Sequence, residues 1–403
     1  MYNLTDRSII LGATGSIAVY KAVDLASKLT QAGSRVDVVM TPEATQFLSP
    51  ITFQSVTGRR ICWDMWDAHS EVAEPHVALA RGAELMVVAP ATATVIARLA
   101  LGLAEEMVSL TALATRAPLV VCPAMDSQMY EHPATQGHVE TLRARGVHFV
   151  GPEEGRLASG QVGRGRFSEV ESIIGGIRYV LGLRGDLAGK KVVVSAGGTQ
   201  EPIDPVRYVG NHSSGKMGFA LAEAARDRGA VVALITAPSA LSDPYAVTVQ
   251  RVRCAVEMRD AVINHCDGAD ALIMAAAVAD YQPAEALHEK IKRQDAEGLT
   301  VDLVRTPDIL AEVGRPPGLV KVGFAAESHD LLANARHKLQ TKGLDLIAAN
   351  DITAQDSGFG ADTNRVILLD RDGGQEELPL MLKYDVAWRI LDRVAQIMGA
   401  KAK

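Results

Sequence analysis

Two short glycine-containing segments of the chain could bind phosphate groups. The first, Gly12 to Ser16 (GATGS), stands between an apolar run and a helical pattern, where backbone N–H groups and a helix N-terminus can hold an anion. A tight strand-to-helix turn is an equally good interpretation of this segment alone. It is not GxGxxG, and no acidic residue follows about 20 positions on at a strand end, which disfavours an ordinary NAD site.

The second segment, Gly210 to Lys216, matches the spacing GxxxxGK of a nucleotide-binding P-loop. Met217 stands where that motif needs Ser or Thr to hold Mg²⁺. The polar stretch around Asp204-Pro205 also indicates a loop where the motif needs a preceding strand. We therefore exclude a P-loop and expect a Ser- and Gly-rich loop that cradles phosphate.

Cationic and titratable residues elsewhere could act near such an anion. Lys290 to Arg293 is a compact basic run, and Lys338 and Lys342 lie four residues apart, on one face of a predicted helix. A basic run is usually a solvated helix face, but in an acidic chain it can also form a local polyanion site. His76, at a predicted helix start, is more often a cap or surface residue than a general base, although histidine is the commonest base.

The pattern around these residues predicts two similar α/β units. Apolar strands at Ser8–Leu11 and Lys191–Ala196 are each followed by a small-residue turn, an amphipathic helix that ends in glycine, and another strand. Strands that alternate with helices predict mainly parallel sheets, whose ligands bind at the carboxyl ends of the strands. We predict the fold class α/β, with two Rossmann-like domains over residues 1–184 and 190–403 around a Gly- and charge-rich boundary at Gly182–Lys190.

Composition excludes several classes of protein. At about 150 residues per domain, 403 residues predict two or three domains, and 48% apolar with 22% charged residues excludes a disordered chain. A net charge of −7 and 4% aromatic residues argue against a nucleic-acid partner. No run approaches the length of a membrane span and no signal peptide is present, so we expect no membrane association and a cytoplasmic location. Four cysteines without CxxC spacing predict reduced thiols.

The motifs of the second half together resemble the phosphopantothenate–cysteine ligase half of the bacterial bifunctional coenzyme A enzyme. The segment DPVRYVGNHSSGKMG is the hallmark of that family, and further motifs occur in its order: Ala276–Tyr281, Glu289–Lys292, Thr306–Ile309, Gly323–Glu327 and Ala349–Asp351. The first half resembles the flavin-dependent phosphopantothenoylcysteine decarboxylase at Gly12–Ser16, His76, Ala89–Thr92 and Pro123–Met125. The resemblance covers nearly the whole chain and implies a flavodoxin-like flavoprotein domain followed by a ligase domain.

The ligase resemblance implies a reaction that uses CTP and Mg²⁺. The carboxylate of 4′-phosphopantothenate would be activated as an acyl-cytidylate, which the amine of cysteine then attacks, and cations must offset the repulsion between the anionic reactants. In the family's roles Lys290 assists the first step, Asn211 hydrogen-bonds the acyl-cytidylate and Arg207 supports it. The resemblance assigns these residues to the nucleotide site: Ala276, Asp280, Lys290, Thr306, Pro307, Asp308, Ile309, Phe324, Lys338 and Lys342. It leaves the Mg²⁺ ligands open.

The decarboxylase resemblance implies bound FMN and conversion of 4′-phosphopantothenoylcysteine to 4′-phosphopantetheine. Flavin would take electrons from the cysteinyl side, giving a thioaldehyde that loses CO₂, and would return a hydride to the enethiol. His76 matches the family's catalytic histidine. The resemblance assigns these residues to the flavin and its phosphate: Gly12, Gly15, Ser16, Thr41, Ala89 and Thr92.

Two catalytic positions of the decarboxylase half depart from the family. Asp126 and Ser159 stand where the family usually has Asn and Cys. Asn can donate hydrogen bonds to a substrate carboxylate and ionised Asp cannot, while a Ser hydroxyl is a weaker acid than the thiol that protonates the enethiol in the family. Three hypotheses follow: a full bifunctional enzyme with a variant decarboxylase site, a ligase fused to a stalled or inert flavoprotein domain, and a regulatory or scaffold flavoprotein. The intact ligase motifs argue against the third for the whole chain.

The resemblance also implies an assembly and a set of small-molecule partners. The partners are 4′-phosphopantothenate, cysteine and CTP. Family precedent implies a homo-oligomer, with trimeric flavin domains and dimeric ligase domains and hence a dodecamer.

Overall fold

The chain divides into two compact units, Met1–Leu181 and Gly182–Lys403. The computed structural model describes residues 4–66, 73–292, 299–327, 329–351 and 360–401. Each unit has its own sheet and its own helices, as the α/β pattern of the sequence predicts.

A five-stranded parallel sheet forms the centre of the first unit. The strands of this unit are β1 (Ser8–Ala13), β2 (Arg35–Met40), β3 (Leu85–Ala91), β4 (Leu119–Pro123), β5 (His148–Phe149), β6 (Glu153–Arg156) and β7 (Val162–Arg166). The order β2-β1-β3-β4-β5 is that of a flavodoxin-like doubly wound sheet, so the predicted fold is confirmed here. Every residue of β3 is buried, as expected for a central strand that helices cover on both faces. Strands β6 and β7 form a separate antiparallel hairpin.

Amphipathic helices connect these strands. They are α1 (Val19–Gln31), α2 (Ala44–Phe47), α3 (Pro50–Thr57), α4 (Pro75–Gly82), α5 (Ala93–Leu101), α6 (Met107–Ala114), α7 (Ser127–Glu131), α8 (Pro133–Ala144) and α9 (Val170–Gly182). Helix α1 buries one stripe that includes Val19, Leu25 and Leu29. Gly33 follows its C-cap with φ +89°, a left-handed conformation that favours glycine, as the sequence predicts.

The second unit contains a larger, mixed sheet. Its strands are β8 (Lys191–Ala196), β9 (Gln200–Pro202), β10 (Tyr208–Gly210), β11 (Val231–Thr236), β12 (Thr248–Arg251), β13 (Ala271–Met274), β14 (Tyr281–Pro283), β15 (Leu303–Arg305), β16 (Val320–Glu327), β17 (Leu346–Asp351), β18 (Thr363–Asp370) and β19 (Gln375–Leu382). Eight strands form the order β12-β11-β8-β13-β16-β17-β18-β19, in which β18 is antiparallel to both of its neighbours. Two short antiparallel pairs, β9–β10 and β14–β15, stand apart from it.

Helices cover both faces of this second sheet. They are α10 (Lys216–Arg226), α11 (Ala255–Cys266), α12 (Ile309–Glu312), α13 (Leu331–Thr341) and α14 (Lys383–Lys401). Helices α10 and α14 pack in one apolar core, and α11, α12 and α13 pack in the core of the opposite face. A helical layer therefore covers each face of this sheet.

The P-loop is absent for a topological reason. The strand that pairs with the main sheet, β8, ends at Ala196, and the hairpin β9–β10 intervenes before α10 begins at Lys216. The segment before the GxxxxGK spacing is therefore a hairpin rather than a sheet strand. Among the described residues, no helix is long and apolar enough to span a bilayer, and none of the four cysteines forms a disulfide bond.

Candidate active sites

The loops that follow β1, β2 and β3 meet at the carboxyl edge of the first sheet. The buried Thr14 side chain donates from Oγ1 to the carbonyl of Pro90 at 2.7 Å and accepts from the N–H of Thr92 at 3.2 Å. Thr41, also buried, donates its N–H to the carbonyl of Ala13 at 3.0 Å. The structure thus brings most predicted flavin-binding residues to one edge, where small side chains and hydroxyls predominate.

Glycine is required in the first of these loops by packing. A Cβ on Gly15 would come within 2.5 Å of Glu43 Cβ, and one on Gly12 within 2.9 Å of Val108 Cγ1. Ser16 Oγ accepts from the N–H of Ala18 at 3.3 Å, just before α1 begins. The first turn of α1 contains no acidic residue, so its N-terminus is compatible with an anionic phosphate.

The two residues that depart from the family pattern contact each other. Ser159 Oγ donates to Asp126 Oδ2 at 2.7 Å, and Asp126 Oδ1 accepts from the N–H of Gln128 at 3.1 Å, where it caps α7. Both carboxylate oxygens therefore have a donor from the chain itself. Ser159 lies in the tight turn of the β6–β7 hairpin, which ends at Gly160 with φ +86°.

Two glycines allow this hairpin to lie against the loop after β4. A Cβ on Gly165 would come within 2.2 Å of the Met125 carbonyl oxygen, and one on Gly163 within 2.8 Å of Ser127 Cβ. The Met125 N–H also donates to the Gly165 carbonyl at 3.0 Å. The hairpin is therefore held beside Asp126 by backbone contact as well as by Ser159.

His76 lies apart from this pair in the hydrogen-bond network. It is the second residue of α4, after Pro75, and it is half-buried. Within the described part of the chain, His76 forms no hydrogen bond with Asp126 or Ser159. The sequence prediction of a helix start is confirmed, and its catalytic role stays a prediction.

A cavity of about 1030 Å³ opens at the carboxyl edge of the second sheet. It collects nine of the ten predicted nucleotide-site residues, all except Lys290, together with Asn211. Asn211 Nδ2 donates to the Val278 carbonyl at 3.1 Å, and Thr306 Oγ1 donates to the Ala279 carbonyl at 2.6 Å. These bonds tie the loop before α10 and the segment before α12 to the loop after β13, so motifs distant in sequence line one space.

The lysines predicted for the nucleotide site already have partners on the α13 side of the cavity. Lys338 Nζ donates to the Phe324 carbonyl at 2.8 Å, and Lys342 forms an ion pair with Asp308. Burial alone would raise the pKa of Asp308, but the Lys342 ammonium and the Ala311 N–H lower it below its usual value. The prediction that both lysines lie on one helical face needs refinement, because Lys342 is the C-cap of α13, one residue past its last turn.

A buried aspartate connects Arg207 with the basic run. Asp204 accepts from the N–H groups of Val206 and Arg207 through Oδ1, and from the Arg207 guanidinium and the Ile291 N–H through Oδ2, at 2.7–3.2 Å. The Arg207 guanidinium also donates to the Ile291 carbonyl at 3.3 Å. Lys290 is therefore held next to Arg207, in an exposed loop rather than on the solvated helix face that basic runs usually form. Arg293 lies outside the described residues.

Sequence patterns gave no signal for several residues of this site. Asp204 belongs to the family motif but was expected only to lie in a loop, and Lys383 and Asn364 line the cavity without a motif of their own. No three His, Cys, Asp or Glu side chains cluster as metal ligands in the part of the chain that the structure describes. Asp280 and Asp308 are the carboxylates among the described residues that line the cavity.

Comparisons with known proteins agree with this two-unit arrangement. Residues 1–182 match the family model described as Flavoprotein, and residues 187–398 match the one described as DNA/pantothenate metabolism flavoprotein C-terminal domain. The chain is thus a flavoprotein domain joined to a domain of pantothenate metabolism.

Full-length relatives identify the family. The coenzyme A biosynthesis bifunctional protein CoaBC of Bacillus subtilis is 45% identical over 398 residues, 98% of each chain. The protein of that name from Mycobacterium tuberculosis is 42% identical over 409 residues, covering 98% of this chain and 97% of the relative. A solved CoaBC C-terminal domain is 38% identical with a TM-score of 0.47, and covers 54% of this chain and 99% of that one.

The chain belongs to the family of bifunctional coenzyme A biosynthesis proteins. It is an enzyme with two activities, ligation and decarboxylation, in coenzyme A biosynthesis, as the resemblance of the motifs implies. Nothing in the comparisons favours a stalled, inert or purely regulatory flavoprotein domain.

Proposed function

We propose that the second unit joins 4′-phosphopantothenate to cysteine at the expense of CTP, and that the first unit decarboxylates the product with FMN. The observation that carries the ligase assignment is the single cavity that collects the family's nucleotide motifs with Asn211. The name of the relatives, a bifunctional protein of coenzyme A biosynthesis, supports the pairing of both reactions in one chain.

In the ligase reaction, cations and amide groups offset the charge of the reactants. Lys290, held beside Arg207 through Asp204, would neutralise the carboxylate and α-phosphate as they approach each other. Asn211 keeps one amide hydrogen beyond its bond to Val278, and that hydrogen can bind the acyl-cytidylate. Lys338 and Lys342 would hold the triphosphate, and Thr306–Ile309 with Phe324 would lie against the nucleotide.

Mg²⁺ fits this cavity as an ion that arrives with the nucleotide. Mg²⁺ in such sites keeps several waters and binds phosphate oxygens with one or two carboxylates, so a preformed three-ligand cluster is not needed. Asp280 is exposed at the cavity wall, while Asp308 is paired with Lys342. We therefore assign Asp280 as the carboxylate available to the ion.

In the first unit, the loops after β1, β2 and β3 would hold FMN. Gly12, Gly15, Ser16, Thr41, Ala89 and Thr92 would surround the flavin and its phosphate. When bound, FMN supplies the oxidation that makes the carboxylate a leaving group and the reduction that follows. His76 would act as the base, while Asp126 and Ser159 would contact the substrate's carboxylate and reacting end. This proposal also includes the assembly, in which flavin domains form trimers and ligase domains form dimers, so that the whole protein is a dodecamer.

The experiment compares Lys290→Gln with Lys292→Gln in the full-length protein. Both changes remove one positive charge from the same loop, and both side chains are exposed. We expect Lys290→Gln to abolish CTP-dependent pyrophosphate release and to preserve flavin absorbance, and Lys292→Gln to preserve both. Unchanged pyrophosphate release in Lys290→Gln would contradict the ligase assignment.

Mass spectrometry of the product from 4′-phosphopantothenoylcysteine tests the decarboxylase half, where loss of CO₂ alone is expected.

A further inference from the structure

Two lysines of the second unit line the cavity and have no role in the reactions proposed above. Lys216 begins α10 and Lys383 begins α14. Helices α10 and α14 cover one face of the sheet, whereas α13, which carries Lys338, covers the other. Cations therefore reach the cavity from both faces of the sheet edge.

Both ammonium groups converge on three consecutive residues before β18. Lys216 Nζ donates to the Gly360 carbonyl at 2.8 Å and to Asp362 Oδ1 at 2.7 Å. Lys383 Nζ donates to the Ala361 carbonyl, and its backbone N–H donates to the Asp362 carbonyl at 2.9 Å. The segment Gly360–Asp362 thus holds two like charges close together.

Among the described residues, two ammonium groups and one carboxylate meet at this segment. Lys383 is only 7% exposed, and burial, then the positive charge of Lys216, lowers its pKa. Asp362 is the carboxylate bonded to Lys216, and its side chain is 80% exposed to solvent. Because water screens an exposed carboxylate, Asp362 stabilises the nearly buried ammonium of Lys383 only weakly. An anion bound in the cavity would stabilise both ammonium groups.

We propose that Lys216 and Lys383 bind a phosphoryl group of a substrate, separately from Lys338 and Lys342. This inference rests on the proposed ligase function and names a second anion site in the same cavity. Ammonium groups held by backbone carbonyls can turn to phosphate oxygens, with which they form stronger, charge-assisted hydrogen bonds. The phosphoryl group is either the end of the CTP triphosphate or the 4′-phosphate of 4′-phosphopantothenate.

Two separate cation pairs suit a reaction with two phosphorylated substrates. One pair for both groups would bring the phosphates of both substrates together and add to their repulsion. Because the two cation pairs lie on opposite faces of the sheet edge, the phosphates of the two substrates can bind on different sides. The carboxylate and the α-phosphate then meet between the two pairs. Each of the two phosphorylated substrates then has one pair of lysines to bind its phosphate.

The test measures KM for CTP and for 4′-phosphopantothenate in the full-length protein and in Lys216→Gln and Lys383→Gln. Lys190→Gln is the matched control, because Lys190 precedes β8 at the opposite, amino edge of the same sheet. Loss of one charged hydrogen bond should raise one of the two KM values about 10- to 100-fold. The control should leave both values unchanged.

Unphosphorylated pantothenate distinguishes the two sources. If the lysines bind the 4′-phosphate, the preference for 4′-phosphopantothenate over pantothenate falls by the same factor in both variants. If they bind the triphosphate, KM for CTP rises and that preference is unchanged. Both KM values within twofold of wild type in folded variants would overturn the proposal.

A binding measurement separates this site from the proposed reaction. Inorganic pyrophosphate should raise the melting temperature of the wild-type protein and of Lys190→Gln, and this increase should be smaller in Lys216→Gln. That result supports the site even if the wild-type protein shows no CTP-dependent ligation, which would instead refute the proposed function. Lys216→Gln changes a partly exposed side chain and carries the test if Lys383→Gln does not fold. Equal increases in all proteins, with unchanged KM values, would exclude the site.

Discussion

Replacing Asp126 with asparagine tests how the first unit accommodates the carboxylate of its substrate. In the structure, Ser159 donates its hydroxyl hydrogen to Asp126 Oδ2, and the Gln128 N–H donates to Oδ1. A serine hydroxyl has one hydrogen, so Ser159 cannot give it to a substrate while it donates to Asp126. In Asp126→Asn, the amide oxygen can keep the helix cap while the NH₂ group donates to Ser159. The Ser159 hydrogen then becomes available.

The size of the effect follows from charge. Two unit charges 4 Å apart repel by about 1 kcal/mol in water and about 4 kcal/mol at an effective dielectric of 20. Ser159 is exposed and Asp126 half-buried, so we take the lower value. About 1 kcal/mol corresponds to a roughly fivefold change in affinity. Asp126→Asn should therefore lower KM for 4′-phosphopantothenoylcysteine by at least about fivefold near neutral pH.

The assay is CO₂ release from added 4′-phosphopantothenoylcysteine, with flavin absorbance as the measure of cofactor content. Glu131→Gln is the control, because it removes an exposed carboxylate at the other end of the same short helix. Asp126→Asn combined with Ser159→Ala tests the freed hydroxyl. In this double variant any increase in kcat should disappear, whereas the decrease in KM should remain. An unchanged or higher KM in Asp126→Asn, with flavin content intact, would refute the charge argument.

Two further predictions concern the base and the buried aspartate. His76→Asn should abolish CO₂ release and preserve CTP-dependent pyrophosphate release; continued CO₂ production at normal flavin content would exclude His76 from the mechanism. Burial alone would raise the pKa of Asp204, but the N–H groups of Val206, Arg207 and Ile291 and then the Arg207 guanidinium lower it. Its contribution to stability should therefore be complete above its ordinary pKa of 3.8 and be lost only as the pH falls through the lower, folded-state value. Asp204→Asn should impair pyrophosphate release at neutral pH and spare CO₂ release from added 4′-phosphopantothenoylcysteine, and equal ligase rates would contradict the proposed positioning of Lys290.

The parts of the fold that depend on local patterns could be predicted from the sequence. The limits of β8 agree with the predicted apolar run Lys191–Ala196, because a strand buried on both faces contains few polar residues. The turn at Gly33 follows from the glycine that a left-handed C-terminal position favours. A strand at Arg365–Leu369, within β18, follows from the same kind of apolar run, but the antiparallel direction of β18 and the presence of β19 could not be predicted in this way. The exposed residues of β19 dilute its apolar pattern, and its pairing is set by tertiary contacts.

The candidate sites show the same division between local and distant interactions. Motif order placed Asn211 and the nucleotide residues in one site, because loops after parallel strands meet at one edge. Lys383 had no such signal, since its approach to Lys216 depends on two helices that lie more than 150 residues apart in sequence and pack together in three dimensions. A lysine at the start of a helix is ordinary by itself, and only its burial beside another cation makes it a candidate ligand.

The contact between Asp126 and Ser159 changes how the two departures from the family should be interpreted. Considered separately, a carboxylate beside an anionic substrate and a hydroxyl in place of a thiol are both unfavourable for the reaction. In the structure the two residues are hydrogen-bonded to each other, because the Ser159 hydroxyl donates to the Asp126 carboxylate and stabilises its negative charge. The pair also joins the β6–β7 turn to the N-terminus of α7, so the two residues influence the position of the hairpin as well as the chemistry. A substitution at either position therefore acts on both, and single changes to the family residues cannot be expected to add.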